Sequence, residues 1–211
     1  MRSEIALLLL CGLTLMSSGC DRRSGENGQA APNAAANATD VADAPTAGEV
    51  QPAADGGAKP DFSPKVDLSH AGKDAPDVVF SDPAGKDVTL ATFKGKPVLV
   101  NLWATWCGPC VAEMPMLDAI AAEYKDKGLA VLTVSQDSGE QAPITAFFVK
   151  NKLPHLAAWR DPENQLGFHF ATGLLPTTVL YDRDSREVAR VAGAMDWSSA
   201  QGRAMIDDLV E

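Results

Sequence analysis

The sequence has few cysteines, no cluster of basic residues and no apolar run long enough to cross a membrane. Its 211 residues include four cysteines, and the formal net charge is −10. Without a basic run, the chain offers no electrostatic reason to bind nucleic acid or an anionic lipid surface. Cys11 and Cys20 lie within the first twenty residues. Only Cys107 and Cys110 remain for the body of the protein, which excludes a framework of structural disulfides.

The amino terminus has the pattern of a secretory signal peptide. Arg2 precedes a short apolar run at residues 5–16, whereas a spanning helix would need about twenty such residues. The following Ser17-Ser18-Gly19-Cys20 resembles a bacterial lipobox, which predicts a lipoprotein signal peptide over residues 1–19 and acylation of Cys20. Asp21 resembles the signal that retains lipoproteins in the inner membrane. The alternative is an ordinary signal peptide in which Cys20 has no role.

The composition changes abruptly after Cys20. Of the 44 residues from 21 to 64, 12 are alanine, 5 are glycine and 5 are proline, and Phe62 is the only aromatic residue. Such a segment buries too little apolar surface to offset the entropy that ordering would cost. We therefore expect a lipidated, disordered tether over residues 20–64 and one catalytic domain over residues 65–211.

Two cysteines lie where a buried strand passes into a helix. Residues 97–103 form a nearly unbroken apolar run, as in a strand covered on both faces. Residues 110–127 carry apolar side chains at helical spacing and are followed by Gly128. Cys107 and Cys110 therefore fall at a helix N-terminus, where free N–H groups and the helix dipole favour a thiolate. The spacing indicates a reactive dithiol; half of a zinc site is the alternative, although a second pair of ligands is missing.

The residues around this pair resemble one family. Trp106-Cys107-Gly108-Pro109-Cys110 is the motif of thioredoxins, and residues 100–115 resemble the TlpA/ResA branch of that superfamily, whose members are membrane-tethered periplasmic thiol–disulfide oxidoreductases. The resemblance implies an α/β thioredoxin fold, with a central mixed β-sheet flanked by helices, an N-terminal β-hairpin and a central strand and helix insertion. It also implies that the redox group is the Cys107–Cys110 disulfide itself, without a metal or another cofactor.

The resemblance assigns roles near the disulfide. Cys107 is expected to be the solvent-facing nucleophile, and Cys110 the inward-pointing cysteine that resolves the mixed disulfide. The substrate-facing pair Gly108-Pro109 is that of thioredoxin, which predicts a reducing dithiol. Glu113, one helical turn after Cys110, is expected to accept the proton of Cys110, and the alternative is a solvated glutamate. Asn101 replaces the buried aspartate of thioredoxin, which supports a base at another position.

Two further regions are expected to bind substrate. Trp106 is predicted to form an exposed apolar platform next to the nucleophile. The run at residues 173–178 resembles the cis-proline loop of the superfamily. The resemblance implies that the backbone of Leu175 pairs with an extended substrate segment and that Pro176 follows a cis peptide bond.

The rest of the pattern alternates strands with helices. A turn-rich hexapeptide between residues 78–80 and 88–90 predicts the N-terminal hairpin. Further strands are expected at 97–103, 129–135, 155–160, 177–181 and 188–191, and helices at 110–127, 144–151, 164–171 and 198–210. We expect the last two strands to form a hairpin at the sheet edge. Ser138 and Gln141 suggest a capping box ahead of the 144–151 helix.

The resemblance implies a reductase that keeps cysteines of exported proteins reduced, in cytochrome c maturation or in copper-site assembly of a respiratory oxidase. Its implied partners are periplasmic protein substrates and an inner-membrane electron donor of the DsbD/CcdA type. We expect a monomer that binds no nucleic acid and is lipid-anchored on the periplasmic side of the inner membrane. A peroxiredoxin-like thiol peroxidase would need a lone cysteine after a Pro-x-x-x-Thr pattern, which is absent. A copper chaperone of this superfamily would have three residues between its cysteines.

Overall fold

The computed structural model describes residues 61–211. The predicted signal peptide, Cys20 and residues 20–60 of the predicted tether lie outside this range, so these expectations stay predictions. Residues 61–64 form neither helix nor strand. Within the described range, every helix is too short or too polar to span a bilayer.

Residues 61–211 form one sheet of eight strands and four α-helices. The strands are β1 Lys65–Asp67, β2 Phe80–Ser81, β3 Asp87–Val88, β4 Val98–Trp103, β5 Ala130–Ser135, β6 Trp159–Arg160, β7 Thr177–Tyr181 and β8 Glu187–Ala192. The helices are α1 Gly108–Glu123, α2 Gln141–Lys150, α3 Gln165–Phe170 and α4 Ala200–Val210. The strand order across the sheet is β1-β8-β7-β4-β5-β6-β2-β3.

The sheet is mixed, as predicted. β4, β5 and β6 run parallel, whereas β7 is antiparallel to both β4 and β8. The predicted N-terminal hairpin is present as β2 and β3, with Phe80 opposite Val88. This hairpin joins the sheet through β6, because Ser81 pairs with Arg160 of the central insertion.

All six residues of β4 are buried, because its side chains alternate between the two faces of the sheet and both faces are covered. Leu99 and Trp103 pack in a cluster with side chains of α1, α2 and α4. Val100 and Leu102 pack on the opposite face with α3 and the N-terminal hairpin. Asn101 shares the face of Leu99 and Trp103, so a polar side chain points from the middle of the sheet toward α1.

Two expectations about the sheet are wrong. The β7–β8 hairpin is not at the edge, because β1 pairs with β8 and places Val66 opposite Val191. A three-residue strand is too short to leave an alternating pattern in the sequence. The strand expected at 155–160 shortens to β6, because the backbone N–H of His155 donates to Oδ1 of Asp118 in α1 at 2.8 Å instead of joining the sheet.

The capping box expected before α2 is also absent. α2 begins at Gln141, and its N-cap residue Glu140 makes no side-chain capping hydrogen bond. The amide of Gln141 donates instead to the carbonyl oxygen of Ala158 at 2.6 Å. This contact ties the start of α2 to the residue just before β6.

Candidate active site

The two cysteines close a disulfide at the N-terminus of α1, with their Sγ atoms 2.03 Å apart. Cys107 is the N-cap residue, and its Sγ accepts a hydrogen bond from the backbone N–H of Cys110 at 3.3 Å. Cys110 is fully buried, as expected, whereas Cys107 is only 6% exposed and faces solvent less than predicted. The reason is that its sulfur turns inward, toward both the buried Cys110 and the helix N-terminus.

The loop between β4 and α1 is held by Asp137, which the sequence analysis did not single out. Its Oδ2 accepts the backbone N–H of Thr105 at 3.0 Å, and its Oδ1 accepts the Thr105 hydroxyl at 2.9 Å. The hydroxyl of Ser135, the last residue of β5, donates to Oδ2 at 2.7 Å. Asp137 therefore connects the end of β5 to the residues just before Cys107. Asp137 is the second residue beyond β5, and a polar residue just past the carboxyl end of a parallel strand is the signal that could have identified it.

Glu113 lies in the buried face of α1 and is completely inaccessible to solvent. Its Oε1 accepts a hydrogen bond from Nδ2 of Asn101 at 2.6 Å. Its Oε2 accepts one from the backbone N–H of Met195 at 3.2 Å. Glu113 is therefore not the solvated glutamate that the sequence left as an alternative.

Burial raises the pKa of Glu113 to about 7. The hydrogen bonds from Met195 and Asn101 favour the carboxylate and act in the opposite direction. The indole of Trp197 also acts to lower the pKa, although its N–H has no partner of ordinary hydrogen-bond geometry within residues 61–211. A carboxyl group that titrates near neutral pH can both accept and return a proton.

Asn101 connects Glu113 to the sheet. Its Nδ2 also donates to Oγ1 of Thr178 at 3.0 Å, and Thr178 lies directly opposite Asn101 in the β4–β7 pairing. The Oδ1 of Asn101 has no hydrogen-bond partner among the described residues. As placed, the amide matches an ionised Glu113; a half-turn about its last bond would present Oδ1 to a protonated one.

The loop before β7 reaches the disulfide. The peptide bond between Leu175 and Pro176 is cis, as predicted. Leu175 and Cys107 line one cavity of about 800 Å³. The backbone N–H and C=O of Leu175 make no hydrogen bond to another residue of the described range. Pro176 itself is buried and does not line the cavity.

The rim of this cavity is apolar. Trp106, Phe168 and Leu174 line it with exposed fractions of 73%, 74% and 57%. Gly108 and Pro109 complete its wall next to the disulfide. The expected exposure of Trp106 is thus confirmed, and three large side chains are available to contact a partner.

Phe168 was missed by the sequence analysis, although helical spacing could have revealed it. Leu166 and Phe170 of α3 are buried, and they are four residues apart on one face of the helix. Phe168 lies between them and therefore points to the other side. A helix of the central insertion thus supplies part of the active-site rim.

Comparison with known proteins places this site in a family. A family model described as the AhpC/TSA family matches residues 71–208. The chain belongs to the AhpC/TSA family. The chain is 34% identical over 131 residues to a thiol-disulfide oxidoreductase ResA of Bacillus cereus. This match covers 62% of the chain and 75% of that protein.

This AhpC/TSA protein is also similar to solved structures of proteins named for thiol–disulfide exchange or as thioredoxins. A protein of Chlorobium tepidum assigned as thiol:disulfide interchange protein DsbE has a TM-score of 0.60 and 26% identity, covering 67% of this chain and 98% of that one. The exposed lipoprotein thioredoxin Etrx1 of Streptococcus pneumoniae has a TM-score of 0.53 and 27% identity, covering 64% and 98%. The thioredoxin fold and the resemblance to the ResA branch are confirmed, and the protein is a thiol–disulfide oxidoreductase.

The redox group of this oxidoreductase is the Cys107–Cys110 disulfide, which can take up two electrons and two protons. Within residues 61–211, no three His, Cys, Asp or Glu side chains cluster closely enough to hold a metal ion. His70, His155 and His169 are not brought to the disulfide cavity.

Proposed function

We propose that this oxidoreductase reduces disulfides in exported proteins, acting from the periplasmic side of the inner membrane. The observation that carries the proposal is the combination found at one cavity. A disulfide at a helix N-terminus lies beside an unpaired backbone segment at Leu175 and an apolar rim. Such a surface suits an extended polypeptide, because backbone groups and apolar side chains are what a polypeptide offers in return.

The chemistry begins with the reduced enzyme. The thiolate of Cys107 attacks one sulfur of a substrate disulfide, and the bond between the two substrate sulfurs breaks. The departing sulfur leaves as a thiolate and takes up a proton, while a mixed disulfide joins Cys107 to the substrate. Cys110 then gives its proton to the carboxylate of Glu113 and attacks Sγ of Cys107, releasing the second substrate thiolate. Two electrons have passed to the substrate, and the Cys107–Cys110 disulfide has formed again.

A base is needed in the second step because burial of Cys110 disfavours its thiolate. Glu113 lies one helical turn along α1 from Cys110 and is buried in the same face of the helix. Its pKa of about 7 lets it be ionised when the thiol must lose a proton. We therefore assign Glu113 as the base that activates Cys110.

We infer the location and the partners from the amino-terminal sequence and from the resemblance to the ResA branch. The lipobox-like residues ahead of Cys20 support a lipid anchor, and a related structure is an exposed lipoprotein thioredoxin by name. We propose exported cysteine proteins as substrates, such as apocytochrome c or the copper-site subunit of a respiratory oxidase. A membrane dithiol donor of the DsbD/CcdA type would return the two electrons that each cycle consumes.

A peroxiredoxin-like thiol peroxidase is the second candidate, because those enzymes share the N-terminal hairpin that β2 and β3 form. Against it, Cys107 is not a lone cysteine but is bonded to Cys110 in the same helical turn. The large cavity with its apolar rim also exceeds what a peroxide needs.

Two cysteine variants test the proposed function with a disulfide-bonded polypeptide such as insulin. The reduced wild-type protein should reduce it, Cys107→Ser should not react, and Cys110→Ser should accumulate a mixed disulfide that mass spectrometry detects. The proposal is wrong if the wild type leaves insulin oxidised, or if it consumes hydrogen peroxide faster than it reduces disulfides.

A further inference from the structure

A polar side chain without a partner lies in the active-site cavity. Gln136 lines this cavity together with Cys107 and Leu175. Both its Oε1 and its Nε2 are buried, and neither has a hydrogen-bond partner within residues 61–211. Most buried amide groups in folded proteins are paired, so this one calls for an explanation.

Stability of the fold does not explain Gln136. A buried amide that has lost its hydrogen bonds to water without gaining others destabilises the folded state. Methionine or leucine would fill a similar volume without this loss. The amide is therefore retained for something other than contacts within the folded chain.

The backbone of Gln136 is held firmly although its side chain is not. Its N–H donates to the carbonyl oxygen of Trp103, the last residue of β4, at 2.8 Å. The next residue, Asp137, binds Thr105 just before the nucleophile. Gln136 thus lies at the carboxyl ends of the parallel strands β4 and β5, where open sheets bind their ligands.

We propose that the side-chain amide of Gln136, whose atoms are buried in the free protein although the residue is only partly buried, turns into the cavity and binds the backbone of the substrate polypeptide next to its disulfide, and so makes the enzyme favour polypeptide disulfides over small ones. A carboxamide offers one acceptor and two donors, which complement the N–H and C=O of an extended peptide. Leu175 offers the same two kinds of group from its backbone. A small disulfide can reach Cys107 but has no peptide group for Gln136 to bind. This inference rests on the proposed function, in which the substrates are polypeptides.

The experiment compares two substrates with the full chain. Insulin serves as the polypeptide disulfide and 2-hydroxyethyl disulfide as the small one. For Gln136→Met and Gln136→Leu, the ratio of kcat/KM for insulin to kcat/KM for the small disulfide should fall roughly five- to tenfold, as expected for one lost neutral hydrogen bond. The change should lie mainly in the KM for insulin. The midpoint of thermal unfolding should stay the same or rise.

Gln141→Met is the matched control, because Gln141 lies outside the cavity lining and its amide donates within the fold to Ala158. It should lower the unfolding midpoint and keep the wild-type ratio. A wild-type ratio in both Gln136 variants would overturn the inference and leave the proposed function intact. A lower unfolding midpoint in both would overturn it as well, since the amide would then have partners within the fold. If the wild type reduces neither disulfide, the proposed function itself fails.

Discussion

Replacing Glu113 with glutamine removes the proposed base while keeping the shape of the side chain. The carboxylate now accepts from both Asn101 and Met195, whereas glutamine has one acceptor oxygen. If that oxygen takes the N–H of Met195, the new NH₂ group faces Asn101. Asn101 can turn its unpaired Oδ1 toward it, since the hydroxyl of Thr178 can donate as well as accept. We therefore expect Glu113→Gln to fold.

The variant should change how stability depends on pH. The folded pKa of Glu113 is raised from 4.5 to about 7, so the folded state holds this proton more tightly than the unfolded state. Protonation of Glu113 therefore stabilises the folded state. This contribution to stability is fully present below pH 4.5 and is lost as the pH rises through about 7. The loss amounts to about 3 kcal/mol of unfolding free energy for this one group. Denaturant unfolding of the oxidised protein should show that the unfolding free energy of the wild type falls as the pH rises across this range. In Glu113→Gln it should fall by a smaller amount.

The same variant should slow one chemical step. Resolution of the mixed disulfide by Cys110 should fall about ten- to a hundredfold, the effect of losing a general base. The initial attack by Cys107 should change much less. Rapid mixing of the reduced protein with a chromogenic disulfide separates the attack by Cys107 from the resolution by Cys110.

Glu123→Gln is the matched control for these measurements. Glu123 lies on the same helix but is exposed and paired with Arg203 at 2.5 Å, so both chemical steps should keep their wild-type rates. Equal resolution rates for glutamate and glutamine at position 113 would show that another group is the base. A wild-type stability that does not fall between pH 4.5 and 7 would refute the assigned effect of burial on Glu113.

Two further predictions concern the direction and the place of the chemistry. The Gly108-Pro109 pair predicts a reduction potential of about −250 mV, which equilibration with glutathione or dithiothreitol buffers measures. A value of about −120 mV would identify an oxidant instead. The lipobox-like sequence predicts that Cys20→Ala yields an uncleaved or soluble form on cell fractionation. Migration and membrane association like those of the wild type would rule out the lipid anchor.

Local patterns were sufficient for the parts of the site that neighbouring residues define. The apolar run of β4 and the helical spacing after it place the disulfide at the start of α1, where the structure has it. The cis bond before Pro176 is what the resemblance of residues 173–178 to the superfamily's loop implies, and the structure has it. The sequence analysis missed three residues that only the folded structure brings near the disulfide: Phe168, Gln136 and Asp137. α3 of the insertion and the end of β5 come to the disulfide only when the sheet is assembled.

The burial of Glu113 is the instructive intermediate case. The sequence could place Glu113 near Cys110, but it left open whether the carboxyl group was solvated. The signal that could have decided it is Asn101, which alternates with Leu99 and Trp103 on the face of β4 that α1 covers. A buried amide requires polar partners, and Glu113 is the one acidic residue among the buried positions of α1. Asn101, a polar residue that interrupts the apolar face of a central strand, therefore marks where α1 carries its buried acid, and burial of that acid is what raises the pKa of Glu113 to about 7.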